Sequence, residues 1–467
     1  MRYFFLWVCL IIGFGAKAQQ SDMPVLKFNE FIGYVKRYHP IAKQAELTID
    51  AAQANLMKSR GGFDPKIEVD YGRKDFKGTE YYDRLNATFK VPVWYGIDLK
   101  GNFEQNQGEN LNPDESVPDD GLYSAGVLVS LGEGLWMNER MATLKQAKLY
   151  REQTAADFDI LVNKILFDAS SAYFDWLKAY LDLTIFDDFL NNAQIRFEGI
   201  KTSAASGDIA AIDTVEAKIA VQNRRLDLEQ ARLDLRKTSL ALSNFLWIGD
   251  NIPMELQATT IPDTALIGDI DITLNIAGNP LSDFTLDNHP KLKSLQLKID
   301  GLEIDRTLKT NKLLPKIDLE YNFLSETPEY INSFQTQDYK GKITFRMPLF
   351  LRKERGDLKL AKIKVKDAGL ELDNAEIQIK NDIEAIYAEQ EVLQSQNTLI
   401  VEIVTNYRTL LNAEERKFGF GESSLFLVNA RETKLIDAQL KRNTLLNKYY
   451  LSKAKLFKSL AINPTNP

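Results

Sequence analysis

Along residues 211–247 of this chain, Ile219, Leu226, Leu233, Leu240 and Trp247 recur at every seventh position, and so do Val221, Leu228, Leu235 and Leu242. Along 354–417 the longer column is Leu358, Val365, Leu372, Ile379, Ile386, Leu393, Ile400 and Tyr407, partnered at first by Ile363, Leu370 and Ile377. A two-stranded coiled coil sets its apolar columns three and four apart and makes one seam. Here the spacing is two and five. Two residues turn a helix by about 200°, so the two columns lie on nearly opposite sides and each helix needs an apolar neighbour on both. A ring of helices with polar faces directed inward and outward meets that demand; so does a helix buried in a thick bundle.

The helices are also too long for an ordinary core. Residues 138–206 contain no proline and almost no glycine, which at ~1.5 Å per residue spans roughly 100 Å. Gly207 and Asp208 break the pattern before the return over 211–247. The second half repeats the plan, with an outgoing helix over 354–417, a break at Gly419, Phe420 and Gly421, and a return over 425–460.

The repetition extends to individual residues. YHPIAKQAELTID at 38–50 and NHPKLKSLQLKID at 288–300 share one register and hold both histidines of the chain, His39 and His289, each followed by proline. The register continues without gaps through Lys43/Lys293, Leu47/Leu297, Ile49/Ile299, Asp50/Asp300, Pro65/Pro315, Lys66/Lys316, Ile67/Ile317 and Tyr71/Tyr321. That points to an internal duplication. A proline biases the residue before it to extended backbone, and neither histidine has a cysteine, an acid cluster or a second histidine at ligand spacing. Both read as helix-turn-helix corners, with helices over 26–38 and 41–60 in the first half and over 281–288 and 291–314 in the second.

After Pro65 and Pro315 the apolar period changes from 3.6 to 2. One-sided strands are expected around Ile67, Val69 and Tyr71; Leu85 to Val93; Ile97, Leu99 and Phe103; Tyr123 to Leu131; Ile317 to Phe323; and Ile343 to Leu349. Polar links such as NQGENLNPDESVPDDG at 106–121 separate them. Such strands suit either a sandwich or a lipid-facing barrel wall. Aromatic residues at their ends, Tyr81, Tyr82, Trp94, Tyr95, Trp136 and Phe350, suit the barrel.

Residues 1–18 read as a secretory signal, with Arg2, an apolar run over 3–14 and Ala16-Lys17-Ala18 as the cleavage site. Cys9 leaves with it, so disulfides and thiol catalysis are not expected. The formal charge is −7, and −9 without Arg2 and Lys17, which argues against nucleic acid as a partner. No later run of apolar residues is long enough for a transmembrane helix, so membrane insertion would have to use strands.

These segments together resemble the TolC-like outer membrane factors, the outer membrane efflux protein family, over essentially the whole mature chain. The resemblance is carried by the duplicated segments 39–67 and 289–317, by TFRMPLF at 344–350 followed by Glu354, Arg355, Leu358, Ala361 and Lys362, and by the helical turns GDIAAIDTVEA at 207–217 and GESSLFLVNA at 421–430. It implies a mainly α fold with a β-barrel part: long helical hairpins form a trimeric α-barrel joined to an outer-membrane β-barrel. The first structural repeat would be 19–262, with strands about 66–131 and a hairpin about 136–249. The second would be 263–467, with strands about 316–350 and a hairpin about 352–462.

As an outer-membrane channel, such a homotrimer conducts substrates from periplasm to exterior in a tripartite efflux or type I secretion system, with a periplasmic adaptor, an inner-membrane pump and outer membrane lipid as its partners. Six strands are too few for one chain to close a barrel alone, since single-chain barrels start at about eight. The resemblance places a periplasmic gate at the helical turns, at Gly207, Asp208, Asp213, Phe418, Gly419, Gly421, Glu422 and Ser423. Asp213 matches the family's locking acid, but its usual tyrosine and arginine partners are replaced by Phe418 and Ser423; its alternative role is a first-turn acid favouring the helix dipole. The family's acidic ring falls near Leu427 and Asn429. The family also has two strands per half, whereas the first half here offers four. The runner-up is a periplasmic adaptor, which would show one hairpin and a lipoyl-type β-domain. No enzyme motif, cofactor site or metal spacing is present, so an enzyme is not expected.

Overall fold

The computed structural model describes residues 24–266, 270–276, 288–327 and 335–461. The expected signal segment, residues 1–18, and most of the helix expected over 281–288 lie outside them. The first half runs α1 (Phe28–Tyr38), α2 (Pro40–Arg60), four strands β1 (Lys66–Phe76), β2 (Thr79–Pro92), β3 (Ile97–Gln107) and β4 (Leu122–Gly132), then α3 (Glu139–Ala205) and α4 (Ala211–Ser243). The second half runs α5 (Pro290–Asn311), β5 (Lys316–Ser325), β6 (Tyr339–Arg346), α6 (Arg352–Gly419) and α7 (Leu425–Leu460). Among the described helices none is long and apolar enough to cross a membrane.

The six strands form one antiparallel sheet in the order β6-β5-β4-β3-β2-β1. Register puts Ile67 opposite Phe89, Phe89 opposite Gly101, Phe103 opposite Tyr123, Val127 opposite Tyr321 and Ile343 opposite Leu319. Side chains alternate across a strand, so every expected apolar run falls on one face. The other face is charged. Lys90 pairs with Asp98 at 2.9 Å, Lys100 with Glu320 at 2.8 Å and Arg346 with Asp318 at 2.6 Å. Lys340 on β6 also reaches Glu104 on β3 at 3.4 Å. Three strand spacings are ~14 Å in a flat sheet, so the charged face is the inside of a curve. The last strand ends at Arg346, short of the expected Leu349, because Pro348 has no N–H for a ladder.

Below the sheet the helices stand side by side. Next to the strands the order is α2-α3-α5-α6, and away from them α4-α3-α7-α6. Rods α2 and α4 occupy one edge, one above the other; α5 and α7 are stacked in the same way further in. The two histidines are the joints between stacked rods. Each is a buried N-cap with proline at the first helical position. His39 Nδ1 accepts from Ile41 N at 3.3 Å while the ring hydrogen-bonds the backbone of Asn244, the cap that ends α4. His289 Nδ1 accepts from Lys291 N at 3.2 Å and its Nε2–H donates to Ser459 O at 3.2 Å, in the last turn of α7. One ring thus satisfies an orphan amide of the upper helix and ties it to the end of the lower. That is the physical content of the duplicated His-Pro.

Only a neutral ring can do this, because protonation removes the Nδ1 acceptor and puts a cation at a helix N-terminus. Burial lowers the pKa of both rings, partly offset by their backbone hydrogen bonds. The unfolded chain therefore binds more protons than the folded one just below the ordinary histidine value of ~6.5. Stability is complete above that pH and drains away as pH falls from it toward the lowered folded values. We expect the thermal midpoint of the detergent-solubilised protein to drop between pH 7 and pH 5. The double variant His39→Asn/His289→Asn, which keeps a good N-cap, should flatten that slope; an unchanged slope would show that other groups set it.

The core lies at mid-length. Phe28 and Phe31 of α1 pack on Tyr173 and Phe174 of α3, with ring centroids 5.3 Å apart for Phe28–Tyr173 and 5.1 Å for Phe28–Phe174, and Trp176, Tyr450 and Phe457 join the same cluster. Tyr173 Oη donates to Leu26 O at 2.7 Å and accepts from Asp263 N at 3.2 Å, fastening the chain segments that cross the rods.

The paired columns separate as the two-and-five spacing requires. On α4, Leu228 and Leu242 are buried against α3 while Leu226 is 71% exposed, with Ile219, Leu233 and Leu240 bare beside it. On α6, Ile386, Leu393 and Ile400 are buried while Ile363, Leu370 and Ile377 are bare. The expectation of neighbours on both sides is thus half met within one chain: α3 has them, and the edge rods α4 and α6 do not. Trp247 does not continue the α4 column. The helix stops at Ser243, whose Oγ accepts from Leu256 N at 2.9 Å, and Trp247 pairs with Pro253 in a short strand.

Candidate functional site

The two hairpin turns meet at the end of the rods farthest from the sheet. Both close the same way. Gly207 (φ +81°) donates to Ala204 O and Asp208 N to Ser203 O at 3.0 Å; Gly421 (φ +76°) donates to Phe418 O and Glu422 N to Lys417 O at 2.9 Å. This pair of bonds around a left-handed residue ends a helix sharply, and glycine adopts that backbone without steric cost. In each turn the return helix starts four residues after the glycine. Ile200, Ala217 and Leu425 bury one another between the two turns, with Ile209 and Phe418 against them.

The predicted gate residues therefore share one tip, but not the contacts expected of a lock. Asp213 sits half-buried in the first turn of α4 and, among the described residues, forms no ion pair. Phe418 is turned into the apolar clusters. Ser423 Oγ donates to Glu414 Oε1 at 2.6 Å instead of meeting Asp213. Asp208, Gly419 and Glu422 are exposed. At the position of the family's acidic ring, Leu427 is exposed and Asn429 Nδ2 donates to Glu216 Oε1 at 3.2 Å.

A different electrostatic tie lies a few turns up the rods. Glu432 of α7 has a side chain only 1% exposed, and two arginines reach it. Arg196 Nη2 of α3 donates to its Oε2 at 2.7 Å and Arg224 Nε of α4 to its Oε1 at 3.3 Å. Arg196 also meets Glu415 of α6 at 3.0 Å, and Arg224 donates to Thr433 Oγ1 at 3.0 Å. One buried carboxylate thus joins both legs of the first hairpin to the second. The same face of α7 continues with Asn443 donating to Asp182 at 2.8 Å and Asn447 to Asp175 at 2.8 Å, all across to α3. The sequence reading missed this row. Its available signal was polar residues at 432, 439, 443 and 447, at steps of seven and four in an otherwise apolar register.

The aromatic residues divide. Tyr95, Trp136 and Phe350 are exposed at the helix end of the sheet, where strands pass into turns or helices. Tyr81, near the opposite end, packs on Phe76. Trp94 and Tyr82 correct the expectation of a lipid-facing girdle. Trp94 folds inward onto Phe63, centroids 4.8 Å apart, because the tight turn before Gly96 directs it between α2 and α3. Tyr82 lies on the charged face under Arg84, 4.1 Å from the guanidinium carbon.

Residues 281–461 match the outer membrane efflux protein family. No curated protein sequence matches the chain. Among solved structures, the outer membrane channel CmeC of Campylobacter jejuni is similar with a TM-score of 0.64 at 13% identity, covering 93% of this chain and 85% of that one. The open-state outer membrane channel MtrE of Neisseria gonorrhoeae gives 0.64 at 12% identity, covering 93% and 88%. CusC, described for its conformational changes on folding and transmembrane channel formation, gives 0.67 at 13% identity, covering 93% and 91%. At such identities the likeness establishes the fold; the family match and these neighbours are channel proteins, not enzymes.

Proposed function

We propose that this chain, an outer membrane efflux protein over its second half, is the outer-membrane exit duct of a tripartite efflux or type I secretion system. Three copies close a β-barrel in lipid and a helical tunnel in the periplasm, through which substrates leave for the exterior. Two structural repeats, 19–262 and 263–467, descend from an internal duplication. A periplasmic adaptor and an inner-membrane pump work with the duct, and the paired tips, with Gly207, Asp208, Asp213, Phe418, Gly419, Gly421, Glu422 and Ser423, form its periplasmic gate. Exposed Tyr95, Trp136 and Phe350 anchor the wall at the inner lipid boundary, and Tyr81 at the outer.

The observation that carries this reading is where apolar surface remains bare. It covers the convex sheet face and the outer sides of both edge rods, while the concave sheet face is charged. A soluble single chain would expose far more contiguous apolar area than such proteins tolerate. Lipid covers the sheet, and neighbouring copies cover the rods. An adaptor is less well supported, because the chain builds two hairpins and a six-stranded sheet. The test is fractionation with electrophoresis before and after heating. The mature chain is expected with the outer membrane as a heat-sensitive trimer; a soluble monomer would overturn the proposal.

A further inference from the structure

The first half's additional strands are inside the sheet, and we propose that they are wall: each of three chains contributes all six strands, eighteen in all, to a barrel as wide as the helical tunnel beneath it. This rests on the trimeric duct proposed above and departs from a wall of four strands per chain.

Four observations support it. Successive strands alternate in direction from β1 to β6, so the two edge strands run oppositely, and β6 of one copy can join β1 of the next without breaking the antiparallel pattern. Neither edge is protected: both are long, unpaired and apolar on one face, as edges are only when something pairs with them.

The charged faces of the two edges also leave opposite charges open to one another: Lys342 on β6, and Glu68 and Asp70 on β1, form no ion pair among the described residues. On β6 that face carries Lys340, Lys342 and Arg346, of which Lys340 and Arg346 already pair inward with Glu104 and Asp318, and on β1 it carries Lys66, Glu68, Asp70 and Lys74. Within the sheet, by contrast, charges are matched across strands, as Lys100 to Glu320 over the side-chain-free Gly126.

The fourth observation is width. Six strands ~4.8 Å apart and inclined at ~40° take about 38 Å of circumference. Four rods ~8–10 Å apart take about 32–40 Å, and four rods stand below each sheet. A four-stranded share would take about 25 Å and force the helical wall to taper into it. With six, the bore continues at full width, and size selection falls to the hairpin tips.

The sequence makes the test clean, since Cys9 is its single cysteine and lies in the signal segment. Ile343→Cys on β6 is combined in turn with Ile67→Cys, Val69→Cys and Tyr71→Cys on β1, and separately with Leu99→Cys on β3. Facing residues of neighbouring antiparallel strands come within disulfide range. Oxidation of the purified trimer is expected to link chains through at least one β1 position and not through Leu99→Cys. Linkage through Leu99→Cys would mean that β1 and β2 peel away from a four-stranded wall and would overturn the inference. So would an intact trimer that links at neither strand. A monomeric native mass before oxidation would instead defeat the trimer itself, so the two failures are distinguishable.

Discussion

Leu226→Glu combined with Leu233→Glu is expected to convert the proposed trimer to monomers while leaving the helix content of each chain intact. Both side chains stand on the bare column of α4, 71% and 48% exposed in the single chain, and belong to none of its buried apolar clusters. In the proposed ring they would meet the bare column of α6 from the next copy. Burying a leucine is worth roughly 1.5–3 kcal/mol, and an unpaired carboxylate in a sealed apolar seam costs several more. Two such changes recur at every seam of the ring, so association should be lost outright. Leu370→Glu with Ile377→Glu on α6 should do the same from the other side. The contrasting variant is Leu228→Glu, only two residues from Leu226 but 2% exposed against α3; it should unfold the hairpin. Native mass and circular dichroism together decide the matter. A trimer that survives the outer-column changes would show that these leucines face water, and the tunnel reading would fail.

The same contrast marks what was legible in the sequence. Column spacing on α4 and α6 announced two apolar sides, and the structure gives each side a different fate, because one is covered by the chain's own α3 or α7. Helix limits were readable because glycine breaks with left-handed backbone stop a helix at a defined residue, as at Gly207 and Gly421. Strand faces were readable because alternation is local. Neighbour relations were not. Nothing in the spacing of Leu85 to Val93 says that β2 and β3 lie between β1 and β4 in one sheet, since pairing is set by contacts far apart in the chain. Trp247 was misplaced for a related reason: its apolar spacing fits the α4 column, but Ser243 and the returning segment around Pro253 end the helix first. Trp94 fits an interfacial pattern equally well and is captured instead by Phe63. At the tips the sequence supplied residues without partners. Glu432 is one acid among many on charged helices until folding brings Arg196 and Arg224, both more than 200 positions away, onto its two oxygens.

That carboxylate carries the second large effect. Glu432→Ala leaves two mostly buried guanidiniums whose remaining ion-pair partners are the exposed Glu415 and Asp227, besides neutral contacts to Asn429 and Thr433. Breaking a buried pair in this one-sided way costs about 3–5 kcal/mol, so the thermal midpoint should fall by several degrees. Stability alone would not connect the clasp with gating. The clasp holds the α3–α4 hairpin to α7, so its loss should also let the tips separate and raise single-channel conductance in planar bilayers. Glu432→Gln, which keeps the shape and two polar atoms, should fall between wild type and alanine on both measures. Asp213→Ala makes the comparison informative, because Asp213 has no ion-pair partner within the chain among the described residues and can lock only against a neighbouring copy. It should raise conductance while leaving the midpoint nearly unchanged. If Glu432→Ala lowers the midpoint with conductance unaltered, the clasp is structural only; if Asp213→Ala leaves conductance unaltered, the acid is a first-turn helix residue and the tips are held closed by their apolar contacts.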